Sequence, residues 1–186
     1  IPNAPNTGDA SDIGAVEMQA VFVANTNDSG TGSLRQLILG APAGSDIMFD
    51  PTVFNVTRTI TLTSGEIAFS KNLTVSGPGA NLLTVSGNNA SRVFNISSSG
   101  LNVAMSGLTI SNGNAISNGN AMSGGGVSNA GTLTITNCFI TGNRGSNSGG
   151  IENGGTLTMI CSTISGNSAN ADGVGLSTAG NGSSAT

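Results

Sequence analysis

The groups able to do chemistry in this chain are few and scattered. Its 186 residues carry nine carboxylates, Asp9, Asp12, Glu17, Asp28, Asp46, Asp50, Glu66, Glu152 and Asp172, five cations, Arg35, Arg58, Lys71, Arg92 and Arg144, and no histidine. Cleaving or lysing a polysaccharide needs clustered carboxylates on one surface, with Arg or Lys as base or charge stabiliser. Within the regular part of the sequence only Glu66 and Glu152 remain, and they do not share a phase of its repeat. Without histidine no Ser-His or Cys-His nucleophile can be built. The glycine runs lack the Lys-Ser/Thr that follows a phosphate loop, and the repeated Asp of calcium-binding nonapeptides is missing. With neither His nor a second cysteine pair, a metal site has no ligand set. The expectation is a protein with no catalytic, cofactor-binding or metal-binding residues, and not an enzyme.

What the sequence does contain is repetition. Gly131-Thr-Leu-Thr-Ile-Thr-Asn-Cys-Phe-Ile-Thr-Gly-Asn143 returns 24 residues later as Gly155-Thr-Leu-Thr-Met-Ile-Cys-Ser-Thr-Ile-Ser-Gly-Asn167, and a weaker copy, Leu101-Asn-Val-Ala-Met-Ser-Gly-Leu-Thr-Ile-Ser-Asn112, lies 30 residues before the first. Superposition stacks Val103, Leu133 and Leu157 in one column, Met105, Ile135 and Met159 in a second, and Ile110, Ile140 and Ile164 in a third. A period in the twenties means one supersecondary unit per repeat, each burying what its neighbour cannot bury alone. Inside each copy apolar residues alternate with Thr or Asn at period two, the signature of a half-buried strand. Short strands punctuated by Gly, Asn and Ser, about three per turn, describe a parallel β-helix with aliphatic rows inside and Thr, Ser and Asn rows outside.

Upstream the rhythm persists in Ile60-Thr-Leu62, Ile67-Ala-Phe69, Leu73-Thr-Val75, Leu83-Thr-Val85 and Val93-Phe-Asn-Ile96. The coils are therefore expected over residues 56–176, roughly four or five of them, with a loose tail over 177–186. Composition agrees: 29 glycines, 3% aromatic and 37% hydrophobic residues suit a narrow interior filled in layers by aliphatic side chains rather than a wide core. Charged residues are only 8% and the cations are dispersed, so a nucleic-acid footprint is absent. No run approaches the roughly 18 apolar residues of a membrane span. The start, Ile1-Pro-Asn-Ala-Pro5, is neither a signal peptide nor an initiator Met, which suggests a processed product or a fragment.

Cys138 shares an inward column with Leu108 and Ser162, whereas Cys161 aligns with Asn137 and Gly107 at a corner. Coils about 4.8 Å apart bring the two backbones within reach of a disulfide. The alternative is one small buried hydrophobe and one corner thiol. Ahead of the coils, residues 21–55 form a different unit: a strand, a turn, a short helix capped by Ser33 with Leu34, Leu37 and Ile38 on one face, then a strand at Asp46-Ile-Met-Phe-Asp50. Such a helix is a natural plug for the open end of a solenoid.

Asn25-Thr-Asn-Asp-Ser-Gly-Thr-Gly-Ser-Leu-Arg-Gln36 with Asp46-Ile-Met-Phe49 resembles the amino-terminal cap of secreted bacterial right-handed parallel β-helix proteins. Gly124-Gly-Gly-Val-Ser-Asn-Ala-Gly-Thr-Leu-Thr-Ile-Thr-Asn137 resembles the repeat of that group and of polymorphic outer-membrane proteins. The resemblance covers about residues 21–170 and implies an all-β right-handed solenoid with a short capping helix, secreted and extracellular or at the cell surface. It implies little about activity, because fold does not fix function. Asp12-Ile-Gly-Ala-Val-Glu17 resembles the phrase that closes such β-helices, yet it precedes the cap. Either the chain comes from a tandem array, or residues 1–20 complete a neighbouring unit, or the match is an accident or folds back on its own chain.

The favoured expectation is a structural subunit of a head-to-tail surface fibre. Its partners are copies of itself, and its assembly strand contains Ile13, Val16, Met18, Val21 and Val23. A surface adhesin touching a glycan or host surface is the alternative, with the lack of Trp and Tyr against it. Ice binding stands third, from Thr132 and Thr134 over Thr156 and Thr158, where ordinary β-propensity also accounts for the threonines.

Overall fold

The computed structural model describes residues 20–116, 122–170 and 173–178, and the backbone of 184–185. The chain winds as a parallel β-solenoid of about six turns with one short helix near its start. Strands are numbered in chain order. The first sheet stacks β1 (Ala20–Val23), β2 (Asp46–Phe49), β5 (Leu73–Ser76), β8 (Asn102–Ser106), β11 (Thr132–Thr136), β15 (Thr156–Ile160) and β19 (Ser184–Ala185). The second stacks β3 (Arg58–Thr61), β6 (Leu83–Ser86), β9 (Thr109–Ser111), β12 (Phe139–Thr141) and β16 (Thr163–Ser165). The third stacks β4 (Ile67–Phe69), β7 (Phe94–Ile96), β10 (Val127–Asn129), β14 (Ile151–Asn153) and β18 (Leu176–Thr178), and a two-stranded ribbon joins β13 (Arg144–Gly145) to β17 (Ser168–Ala169).

The repeated phrase sets the register. Val103, Leu133 and Leu157 oppose one another, as do Met105, Ile135 and Met159, and Ile110, Ile140 and Ile164. Period-two alternation sends these residues inward, where seven of the nine are 0–1% exposed. Met159 and Ile164 depart from the expectation and are only half-buried. Among the described strands β16 is the edge of its sheet, and β19 opposes only Thr156 and Leu157 of β15, so neither side chain has a described coil over it.

The solenoid has about six turns rather than four or five because the segment before residue 56 is not separate from the coils. β1 and β2 are the first two rungs of the first sheet, with Val21 opposite Ile47 and Ile47 opposite Val75. Between them lies α1 (Leu34–Gly40), whose N-cap Ser33 accepts the Gln36 N–H while Gln36 Oε1 accepts the Gly32 N–H. Its apolar face inserts Leu34 and Ile38, both 0% exposed, against β1, β2 and β4. Each such side chain contributes about 1.5–3 kcal/mol by leaving water. The helix thus fills the first turn in place of the strands that the second and third sheets lack there.

The corners are conformationally demanding. Gly107, Asn137 and Cys161 occupy one corner with φ of 61°, 52° and 47°, and Asn112, Gly142 and Gly166 another with 52°, 66° and 62°. Gly and Asn tolerate this left-handed geometry, whereas Cys161 occupies it at a steric cost.

Candidate functional site

The charged residues of the coils form two fasteners. On the third sheet Arg92, 5% exposed, places Nη1 3.0 Å from Glu66 Oε2, and its Nε and Nη2 donate to the carbonyls of Gly124 and Ser123 at 3.0 and 2.8 Å. Asn95 Nδ2 donates to Glu66 Oε1 at 2.7 Å, and Ser148 Oγ donates to Glu152 Oε2 at 3.1 Å. Burial draws the Arg92 pKa down, while the charges of Glu66 and Glu152 oppose that shift. The two carboxylates that the repeat keeps out of phase are therefore brought towards one guanidinium. The groups bond to each other and to neighbouring backbone, an arrangement that ties successive coils together.

The second fastener locks the helix. Arg35 Nη2 lies 2.7 Å from Asp28 Oδ1, and Arg35 also donates to the carbonyls of Glu66 and Gly65 at 2.7 and 2.6 Å. Asp28 Oδ2 accepts from the Ser64 N–H at 2.8 Å and from Thr63 Oγ1 at 3.1 Å. Burial alone would raise the Asp28 pKa, but the hydrogen bonds from the Thr63–Ser64 turn and from Arg35 outweigh it and lower the pKa to about 2. Lys71 Nζ donates to the carbonyls of Leu39 and Ala41 at the end of α1.

Both cysteines are free thiols, Cys138 buried and Cys161 exposed. Cys138 Sγ donates towards the Thr136 carbonyl at 3.3 Å, and burial pushes its pKa up. Cys161 sits on the left-handed corner, one position out of the inward column.

Two buried asparagine ladders depart from the reading that Asn rows face outward. Asn143 Oδ1 accepts the Gly113 N–H at 2.8 Å, and its Nδ2 donates to the Ile110 carbonyl and to Asn167 Oδ1, both at 3.0 Å. Asn129 Nδ2 donates to Asn153 Oδ1 at 2.7 Å. The four are 1%, 7%, 2% and 0% exposed in the order Asn143, Asn167, Asn129, Asn153. The available signal was the identity of Asn at the same place in successive repeats, for Asn143 and Asn167 immediately after the corner glycines Gly142 and Gly166.

On the outer face of the first sheet Thr132 opposes Thr156 and Thr134 opposes Thr158, continuing through Ala104 to Thr74. Where the row shrinks to Ala104, a shallow depression opens among Gly44, Asn72, Leu73, Thr74, Asn102 and Ala104, away from the Glu66–Arg92 fastener. Of the expected assembly strand, Val21 and Val23 are no free arm: both belong to β1, and they oppose Ile47 and Phe49 of their own chain. Ile13, Val16 and Met18 lie outside the described residues.

Exposed apolar side chains include Phe22 (49%) and Met48 (36%) in the first two rungs and Ile160 (48%) and Val174 (50%) in the last ones, with Met122 and Phe139 exposed between them. Among the described residues no cluster of three or more His, Cys, Asp or Glu could hold a metal ion, and no helix is long and apolar enough to cross a membrane. No protein-family model, curated protein or solved structure matches the chain.

Proposed function

We propose that this chain is an extracellular structural β-solenoid, a unit of a surface fibre that adds to copies of itself head to tail. The observation that carries the reading is the difference between the two ends. At the first turn α1 closes the interior with Leu34 and Ile38. At the last turns Met159, Ile164 and Leu176 are half-buried, and among the described strands β16 and β18 are the edges of their sheets. An uncovered column and a row of unpaired backbone groups are both satisfied by one added strand layer. Because the two ends differ, the contact is heterologous and propagates along an axis. The extracellular setting rests on the resemblance of the cap and repeat to secreted bacterial β-helices. Negative-stain microscopy and light scattering of the purified full chain test this reading. Linear assemblies that lengthen with concentration support it, and dispersed particles of single-chain mass at every concentration contradict it.

The uncharged Thr and Asn rows beside the Ala104 depression favour a second reading, a module that touches neutral carbohydrate. Retention on immobilised polysaccharide, lost on Asn102→Asp, would support it.

A further inference from the structure

We infer that Asn112 and Asn153 are latent modification sites: each precedes a glycine whose amide can close on the asparagine side chain, and the asparagine ladders hold that reaction off while their coils stay shut. Asn-Gly occurs four times in the sequence, and the pairs at 112–113 and 153–154 lie among the described residues. Glycine has no Cβ to hinder ring closure and lets the backbone reach the reactive geometry, so an open chain reacts readily at this pair. The glycine nitrogen attacks Cγ of the preceding asparagine and gives up its proton to water or hydroxide. The new N–Cγ bond replaces Cγ–Nδ2, and the side-chain nitrogen leaves as ammonia. Water then opens the five-membered imide at one carbonyl or the other. The product is aspartate, or isoaspartate in which the main chain runs through Cγ.

Both attacking amides are occupied by an asparagine of a neighbouring coil. The Gly113 N–H donates to Asn143 Oδ1 at 2.8 Å in a buried bond, and Gly113 is packed so closely that a Cβ there would collide with the Gly125 carbonyl. Asn112 itself is fixed on the left-handed corner at φ 52°, with its Nδ2 3.4 Å from Ser86 Oγ. The Gly154 N–H donates to the Asn129 carbonyl at 2.7 Å. Asn153 is 0% exposed, and its amide is held at both ends: Oδ1 accepts from Asn129 Nδ2 at 2.7 Å, and Nδ2 donates to the Gly155 carbonyl at 3.0 Å. An N–H already donating inside the protein is shielded from solvent base, and a Cγ held by its own hydrogen bonds cannot swing onto it. Closure of the imide therefore waits on opening of the coil. In each case the blocking residue belongs to a ladder, Asn143 for one pair and Asn129 for the other.

Conversion runs one way. At position 153 a carboxylate would set oxygen against the Gly155 carbonyl inside the ladder. At position 112 isoaspartate lengthens the main chain by one atom just before Gly113 and Asn114, whose N–H bonds to Asn143 Oδ1 and to the Ser91 carbonyl fix the register there. A coil that has opened and reacted cannot close as before, so the lifetime of the folded solenoid is set by how rarely these coils open.

The test is site-resolved mass spectrometry of the full chain held at mildly alkaline pH, with fragment ions that separate Asn112 from Asn118. In the native parent, conversion at Asn112 and Asn153 should be about a hundredfold or more slower than in a urea-unfolded sample. Asn143→Ala removes the acceptor for the Gly113 N–H and leaves the Asn129–Asn153 bonds in place. Asn112 should then convert about tenfold or more faster than in the parent, while Asn153 keeps its rate. A variant that unfolds outright would speed both sites together, and the parent then decides: below its unfolding midpoint, Asn112 conversion should rise with urea in parallel with hydrogen exchange of the Gly113 amide. Native conversion within a few-fold of the unfolded rate, an unchanged Asn112 rate in a folded Asn143→Ala chain, or conversion that stays flat while Gly113 exchange rises would overturn the inference.

Discussion

Asn143→Asp exchanges one atom in a buried side chain that makes three hydrogen bonds. The amide donates from Nδ2 to the Ile110 carbonyl and to Asn167 Oδ1, each at 3.0 Å, and the side chain is 1% exposed. A carboxylate would turn both contacts into oxygen facing oxygen. Losing two hydrogen bonds costs about 0.5–1.5 kcal/mol each, and leaving the new carboxylate oxygen buried without a donor adds about 1–3 kcal/mol. A total of about 2–6 kcal/mol follows, before any cost of burying the charge. At a urea slope of about 2 kcal/mol per M, the unfolding midpoint followed by circular dichroism should fall by about 1–3 M. The pH dependence supplies a second check. Burial raises the folded-state pKa of the new carboxyl above its unfolded value of about 3.9, so the native state holds that proton more tightly. Stability relative to the parent should be best below pH 4 and be lost as pH rises through the folded pKa. A midpoint within about 0.5 M of the parent at pH 7 would refute the account of the ladder.

Other consequences follow the same geometry. Asp28 has its pKa lowered to about 2, so its contribution is present above the unfolded value and is lost as pH falls from about 4 towards 2. Asp28→Asn should cost about 1–2 kcal/mol at pH 7 and flatten the acid limb of the stability profile measured by denaturant titration. Cys161→Gly should gain about 1 kcal/mol in the same assay by relieving the φ of 47°, and Cys161→Val should lose at least that much. Ile135→Asp, at 0% exposure, should unfold the flanking coils, seen as loss of hydrogen-exchange protection in β11 and its neighbours. On the opposite face of that strand, Thr134→Val should change stability by no more than about 0.5 kcal/mol in a thermal melt.

The register was legible because the chain repeats itself. With Gly131 and Gly155 starting the same phrase, strand alternation places Leu133 over Leu157 without further assumption, and the structure has them paired so. Burial was less legible at the end of the stack. Period two assigns Met159 and Ile164 an inward direction, but the degree of burial depends on whether a further coil covers them. The asparagine ladders escaped for a different reason: a polar residue reads as outward, yet Asn143 and Asn167 follow a corner glycine and turn in to satisfy the carbonyls of Ile110 and Ile140, while Asn129 and Asn153 end β10 and β14 on their inward phase. Glu66 and Arg92, 26 residues apart, meet at non-equivalent places in their coils, so no superposition of repeats brings them together. The 26-residue offset from Ala20 to Asp46 in the first turn was hidden by the helix inserted between the strands.

The central claim is that complete solenoids stack end on end in one direction. Electron cryomicroscopy of assemblies of the full chain tests it most directly, through their layer lines. Six rungs of about 4.8 Å predict unidirectional filaments with a strong spacing near 4.8 Å and an axial repeat of about 29 Å, one chain per repeat. Filaments in which successive chains reverse direction about a two-fold axis, or a chain that stays monomeric, would contradict it.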